Sequence, residues 1–587
     1  MQFLYRKEVQ IMKQYWKKAL ALLCVCALCA SLLSFGAFAD ETGGENAWGD
    51  VAQDNFVRVS SAEALSAGQL QDVEVTEEVG DGAVRLTDGA QEGVWTSAEI
   101  SVPAFEYLVA SWGADTPDGT WVEVKVRAYV DMKKEWSGFL SWGKWGIDLK
   151  RGSTDPSNAL AAVDTDTFYI KGSDGETASK LQFQVTLHSN NAGVTPTLRN
   201  VSATLKNTLD GQAIPIYIPD DSALPEKVLL DTPCYSQMVR DASIGNVICS
   251  PTTMTMMLND RGMNLFPEEV ALREYDFNYE GFGNWSYTVA IAGSYGFSAY
   301  AHYADLDFVR HELAAGRSVA LSVQYSSSPN GSYPYLENGA ANSTGGHLIG
   351  IVGYETVDGV DYFYSNDSAA GSDTQSALRR YKAEQLDACW SSRIAYVVND
   401  APENGAGQDA PRRVEAELTP TADNINIYEL SVNGEPVDLG TGFSAKTKKL
   451  GAGTAFLITD NAKQAELPEP VTPTEGNKDR IYLSLPGGTQ VNVNAEKAVR
   501  DGAKSGTVYI IRNDGITYVA SVSFEGLAPE EPETPVEPET PVEPETPEEP
   551  EAPGDKTGFK ALPWIGGGAV VVVAGAAAAY VFAKKKK

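Results

Sequence analysis

The chain has 587 residues and a formal net charge of −33 at pH 7, with 79 acidic side chains against 46 basic ones and only four histidines. That acidity repels a polyanion, so nucleic acid is excluded as a partner. Four histidines leave no His-rich metal centre, and neither metal nor cofactor is expected.

At the N-terminus, Lys13, Lys17 and Lys18 precede an apolar run from Ala19 to Phe38, and Ala37-Phe38-Ala39 offers a small-residue exit before Asp40. A charged start, an apolar middle and an A-x-A exit predict a secretory signal peptide over 1–39. Cys24, Cys26 and Cys29 leave with it, and the mature chain keeps Cys234, Cys249 and Cys389. An odd count outside the cell points to one free thiol. A Cys234–Cys389 pair would leave Cys249 over; the other two pairings, and no pairing at all, stay open.

Residues 45–210 read as a β-sandwich. Val122, Val124, Val126, Ala128 and Val130 alternate with Glu123, Lys125 and Arg127, and Leu181, Phe183, Val185 and Leu187 alternate with Gln182, Gln184 and Thr186. A period of two marks half-buried strands. Six of the eleven tryptophans fall between Trp95 and Trp145. Exposed rings would stack on sugars and make a glycan-binding module; buried rings would fill the core, the commoner fate of tryptophan. Asp164 and Asp166 form a lone Asp-x-Asp, thin grounds for a calcium site. Residues 211–229, rich in Pro and Asp, read as a linker.

In residues 230–400 helical and strand periodicities mix, and the chemistry gathers. Cys249-Ser250-Pro251-Thr252 opens a helix, with Ser250 as expected N-cap, Pro251 in the first position, Met254, Met257 and Leu258 on one face and Gly262 as the stop. A thiol at a helix mouth meets a field that favours its anion. Gly345-Gly346 lead into His347 and the buried-strand run that follows it to Gly353. A short turn at Asp358-Gly359 sends the next strand back, bringing Asp367 near His347, where a carboxylate would hold the imidazole tautomer. Gln237, in Pro233-Cys234-Tyr235-Ser236-Gln237, offers an amide donor for an oxyanion. Tyr325 to Asn342 reads as a mobile loop shaping the cleft.

This ordered set resembles the bacteriocin-processing type of papain-like cysteine peptidases, in its peptidase-like branch. It comprises Tyr-Ser-Gln, Cys-Ser-Pro-Thr opening a helix, Gly-His-Leu, Val-Gly-Tyr and Asn-Asp, with Trp285, Ala292-Gly293 and Gly296 between. The resemblance implies Gln237 as oxyanion-hole amide, Cys249 as nucleophile, His347 as general base and acid, and Asp367 as orienting carboxylate. Ser368 stands where the family usually has Pro, so Asn366 remains an alternative orienting group.

Residues 411–525 revert to strands, with hairpin signals at Asn433-Gly434 and Asp514-Gly515. Residues 526–560 repeat Val-Glu-Pro-Glu-Thr-Pro, an acidic stalk that cannot bury a core and extends at ~3.1 Å per residue. Residues 562–583 are apolar and span about 33 Å as a helix, enough for one membrane crossing. Lys584 to Lys587 form a basic tail that stays cytoplasmic. The layout resembles a Gram-positive cell-wall sorting signal, with Ile565 where that pattern has Thr, so a plain membrane anchor is expected.

The expected architecture is therefore multidomain, with an α+β papain-like centre flanked by all-β domains. The expected function is an extracellular, membrane-anchored cysteine peptidase acting on a protein or peptide, a peptidoglycan peptide included. The alternative is an inactive surface adhesin that keeps the fold and binds glycan or protein.

Overall fold

The computed structural model describes residues 48–527 apart from 148, 173–174, 221, 422–423, 441–443, 446–447, 450–452, 461–479 and 513–515. The expected signal peptide, stalk, apolar span and basic tail, and the Asp514-Gly515 turn, lie outside the described residues. Among those described, no helix is long and apolar enough to cross a membrane.

Two antiparallel sheets carry residues 51–206. Four long strands dominate: β1 (Tyr107–Asp115), β2 (Thr120–Val130), β3 (Ala178–Ser189) and β4 (Thr197–Lys206). β1 pairs β4 in one sheet, and β2 pairs β3 in the other. Along β2 the buried residues are Thr120, the valines and Ala128, as the period of two requires. Their partners from both sheets share a single core with Trp95, Trp112, Trp142 and Trp145.

Three helices follow: α1 (Cys249–Asp260), α2 (Pro267–Glu274) and α3 (Trp285–Ser294). A sheet is then built from β5 (Ala299–Tyr303), β6 (Val319–Ser326), β7 (Ser343–Val357), β8 (Val360–Asn366), β9 (Arg379–Lys382) and β10 (Ile394–Val398), with α4 (Leu306–Ala314) between β5 and β6. The strand order is β5-β10-β6-β7-β8-β9, antiparallel throughout. β7 and β8 turn on Asp358-Gly359, both left-handed at φ 51° and 77°, the conformation a two-residue hairpin demands. Asn433-Gly434 does the same at φ 51° and 78° in the C-terminal β region, where Val432 pairs Glu435.

The described residues of 211–229 are largely exposed, and the segment is tied down at two points. Tyr217 is buried in the core of the central sheet, its N–H donating to Asn55 Oδ1 at 2.9 Å. Lys227–Leu229 adds a strand to β7.

The sandwich and the helices share one apolar core, in which Trp145 meets Tyr287 with ring centroids 5.0 Å apart. β5 lies against the sandwich: Ala301 N–H donates to Ser111 Oγ and Tyr303 N–H to Thr204 Oγ1, each at 2.9 Å. Arg151, fully buried, donates to the Leu272 carbonyl at 2.7 Å in the last turn of α2. Asp166 Oδ2 accepts the Trp285 N–H at 2.9 Å at the start of α3. The sandwich thus caps two helices of the central region at the ends where the helix field suits the charge. The C-terminal sheet attaches to α2 through Tyr482 Oη donating to Glu268 Oε1 at 2.7 Å and Thr517 Oγ1 donating to Glu269 Oε1 at 2.6 Å.

Candidate active site

α1 begins at Cys249 itself, two residues before the expected start, because Ile248 has φ −104° and ψ 35° and closes the preceding turn. Ser250 is therefore not the N-cap. Its hydroxyl is wholly buried and meets Thr288 Oγ1 at 2.9 Å and Tyr396 Oη at 3.3 Å, tying α1 to α3 and β10. Pro251 falls in the third helical position, still within the turn whose N–H groups have no intrahelical acceptor. Every residue from Ser250 to Asn259 is buried, so α1 is apolar-packed all round rather than on one face. Gly262, at φ +86°, ends it as expected.

Cys249 is half-buried. His347 is buried on β7 opposite Val323 of β6. Its ring hydrogen-bonds to the Cys249 thiol on one side. On the other, Nε2 meets Asp367 Oδ1 at 2.7 Å. With Nε2 so engaged, Nδ1 is the nitrogen left for the sulfur. Thr253 Oγ1 donates to the Leu348 carbonyl at 3.1 Å and holds α1 against β7.

Asp367 accepts four hydrogen bonds: from His347 Nε2 and the Ala369 N–H on Oδ1, and from Tyr325 and Tyr381 on Oδ2. Asn366 is turned elsewhere, donating to the Thr232 carbonyl at 3.0 Å and accepting the Leu378 N–H at 3.1 Å. The group facing the histidine is the carboxylate.

The electrostatics follow from these contacts. Burial pushes the Cys249 thiol up, but the hydrogen bond and charge of His347 and the N–H groups of Leu348 and Ser250 outweigh it and hold the thiol below its ordinary value. Burial pushes His347 down, and Asp367 and the sulfur more than reverse this, raising it to about 10. Burial would raise Asp367, yet His347 and the surrounding donors hold it at about 2. These contacts favour the thiolate–imidazolium form of the pair, backed by a carboxylate.

Gln237 is buried on a short 3-10 turn. Its Nε2 donates to the Gly245 carbonyl at 3.0 Å, its Oε1 accepts from Ser368 Oγ at 2.8 Å, and its backbone N–H donates to the Ser368 carbonyl at 2.9 Å. The amide is thereby oriented, with a second N–H to spare. Ser368, where the resemblance leads one to expect proline, contributes the hydroxyl that fixes it. Gly245 is required here, since a Cβ would lie 2.7 Å from the Gln237 carbonyl oxygen.

Tyr325, Tyr381, Ser368 and Glu274 escape a sequence reading. Tyr325 lies in the last two residues of β6 instead of starting a loop, and the loop after it is pinned by Ala341 N–H donating to Tyr325 Oη and by Arg379 donating to the Asn338 carbonyl at 2.8 Å. Glu274, at the end of α2, is buried; burial and then the nearby Cys249 push its carboxyl well above the usual range. All three described cysteines are free, so the Cys234–Cys389 pair is absent: Cys389 is buried with its thiol directed at the Pro334 carbonyl.

Four of the six clustered tryptophans are core residues, exposed by 1 % or less. Trp121 and Trp136 lie on the outer face of β2 and its neighbour. Trp121 stacks on His188 at 4.7 Å and carries Lys144 Nζ 3.9 Å from its centroid, and Trp136 carries the Arg127 guanidinium at 4.5 Å. Asp166 is taken up by α3, and no cluster of three or more metal-ligating side chains occurs among the described residues.

Two adjoining segments match families. Residues 45–205 match the Peptidase C39 N-terminal domain, and residues 229–396 match the Peptidase C39-like family. Both matches are consistent with a papain-like cysteine peptidase family. No curated protein matches the chain. Among solved structures, the chain is similar to digestive procathepsin L 3 of Tenebrio molitor larval midgut at 13 % identity, covering 31 % of this chain and 73 % of that one with a TM-score of 0.23. It is also similar to TmCBM61, solved with beta-1,4-galactotriose, at 14 % identity, covering 26 % and 83 % with a TM-score of 0.14. A third is TmCBM27, a mannan-recognising carbohydrate-binding module, at 13 % identity, covering 26 % and 99 % with a TM-score of 0.15. Likenesses this slight decide neither fold nor function.

Proposed function

We propose that the protein is an extracellular cysteine peptidase, held to a membrane by the apolar 562–583 segment, that hydrolyses peptide bonds with Cys249, His347, Asp367 and Gln237. The observation that carries the reading is the continuous chain from the Cys249 thiol through the His347 ring to the Asp367 carboxylate, placed at the mouth of a buried helix.

The Cys249 thiolate attacks the scissile carbonyl carbon; the S–C bond forms and the carbonyl electron pair moves to oxygen. That oxyanion takes the spare N–H of Gln237 and the Cys249 backbone N–H, which the helix itself leaves without an acceptor. His347 Nδ1–H protonates the departing amine as the C–N bond breaks. Neutral His347 then draws a proton from water, which attacks the thioester and restores the thiolate. Asp367 keeps the ring oriented through both half-reactions and stays ionised.

Met238 and Val247, beside Gln237 and just before Cys249, are 50 % and 37 % exposed apolar side chains and suit a substrate with apolar residues flanking the cleaved bond. A glycan partner finds less support, since Trp121 and Trp136 already carry cations over their rings. The test is iodoacetamide labelling of the folded protein at pH 6, followed by cleavage of a peptide library. Labelling selective for Cys249 and slowed in His347→Ala, with library cleavage abolished in Cys249→Ser, is expected. Equal slow labelling with and without His347 would overturn the reading.

A further inference from the structure

A buried carboxylate with one oxygen bare is costly, and the anion then gives way to the neutral acid. In this site Oδ1 of Asp367 is committed to His347 Nε2 at 2.7 Å and the Ala369 N–H at 3.1 Å. Oδ2 would be bare but for two phenols. Tyr325 Oη donates to it at 2.9 Å and Tyr381 Oη at 2.8 Å. Both tyrosines and Asp367 are fully buried, so water cannot substitute for either donor.

The two phenols arrive from different sides. Tyr325 is carried by β6 past an irregularity in its pairing with β7, between Val323 and Tyr325. Tyr381 is carried by β9, opposite Phe363 of β8. Tyr325 Oη is itself buttressed by the Ala341 N–H at 3.0 Å, so its proton is free to go only to the carboxylate. A single phenol would satisfy Oδ2 but leave the carboxyl plane free to swing about the His347 contact. Two donors converging on one oxygen, with the other oxygen held by two more, leave one orientation.

We propose that Tyr325 and Tyr381 are positioning residues of the peptidase reaction: they keep Asp367 an anion coplanar with the His347 contact, and through it sustain the thiolate–imidazolium pair. Neither touches substrate or the sulfur. The inference rests on the peptidase reading of Cys249 and His347. With the hydroxyls gone, the carboxylate loses two of its four donors and holds a proton more readily. The imidazolium loses its counter-charge, and the thiolate it stabilises is populated only at higher pH.

The experiment measures the pH dependence of iodoacetamide labelling of Cys249 in the full chain, for the wild type, Tyr325→Phe, Tyr381→Phe and the double variant, with His347→Ala alongside. Phenylalanine keeps the ring and its packing. Each single variant is expected to move the acid limb of the profile upward by about half to one pH unit, which is roughly a three- to tenfold slower reaction at pH 6. The double variant moves it further, and the rates of the tyrosine variants approach that of the wild type as the pH rises above the shifted limb. A merely structural role would lower thermal stability and leave the limb in place, and that result overturns the proposal. If His347→Ala labels like the wild type, the peptidase reading itself falls. If His347→Ala is slow while the tyrosine variants keep the wild-type limb, only the present inference falls. Should the phenylalanine variants fail to fold, site-specific 3-fluorotyrosine at 381 supplies a stronger donor of nearly the same volume. It should move the limb downward; no downward movement counts against the proposal.

Discussion

Gly293→Ala sets two physical effects against each other. Gly293 lies in α3, where alanine gains up to about 1 kcal/mol over glycine in helix propensity. Against that, a Cβ at 293 would lie 2.9 Å from Gly113 Cα and 2.9 Å from the Trp112 carbonyl oxygen, both backbone atoms of β1. Carbon atoms pack comfortably at about 3.5–4.0 Å, so helix and strand must part by roughly 0.6–1 Å. They are not free to do so: Ser286 Oγ donates to the Ala110 carbonyl at 2.7 Å, and Ala301 N–H to Ser111 Oγ at 2.9 Å. Overpacking of this kind costs about 1–3 kcal/mol, which outweighs the propensity gain. The expected net loss is up to about 2 kcal/mol, read as a fall of a few degrees in Tm by calorimetry. Because Thr288 of the same helix holds Ser250, labelling of Cys249 should slow as well. A Tm equal to or above the wild type would refute the close-approach reasoning and leave helix propensity in charge.

Gly346→Ala is the converse case: a Cβ there meets nothing within 4 Å, and the residue is exposed beside His347. Tm should be unchanged, and any effect should appear as a raised KM for peptide substrates. The pH–rate profile of peptide cleavage should hold from mildly acidic pH, because the thiol is held below its ordinary value, and should fall as pH passes about 10, where His347 loses the proton the leaving amine requires. His302 is wholly buried between Thr204 Oγ1 and the Tyr217 carbonyl, and burial lowers it to about 3. A histidine with a lowered folded value contributes stability that is full above pH 6.5 and is lost as pH falls toward 3, so His302→Gln should shift the acid-unfolding midpoint to lower pH. Arg151→Met removes the guanidinium that donates to the Ile147 and Leu272 carbonyls at 3.1 and 2.7 Å; it should destabilise by about 2–4 kcal/mol in urea unfolding, and wild-type stability would contradict a structural role for this cation.

What the sequence made legible was whatever depends on local spacing. The alternation in β2, the hairpin at Asp358-Gly359 and the placing of His347 and Asp367 on adjacent strands all follow from a period of two and a two-residue turn. The thiol at the start of α1 follows from Ser-Pro after cysteine, although the helix begins two residues earlier because Ser250 finds partners in α3 and β10. The rest depends on contacts far apart in sequence. Nothing local marks Tyr325 or Tyr381 as donors to a carboxylate 42 and 14 residues away. Nothing about Ser368 announces that its hydroxyl turns Gln237, and nothing local shows that Tyr217, inside the expected linker, is buried. The tryptophans posed a choice between core and surface that only packing decides.

The shared interior of the sandwich and the helices bears on how such an enzyme is kept in check. A removable prosegment sits in a cleft and is cut away to uncover it. Here, cutting between 211 and 229 would strip a strand from β7 and Tyr217 from the core, and lifting off the sandwich would bare β5 and the ends of α2 and α3. On the peptidase reading, proteolytic trimming on this side would unmake the fold around Cys249 instead of switching activity on.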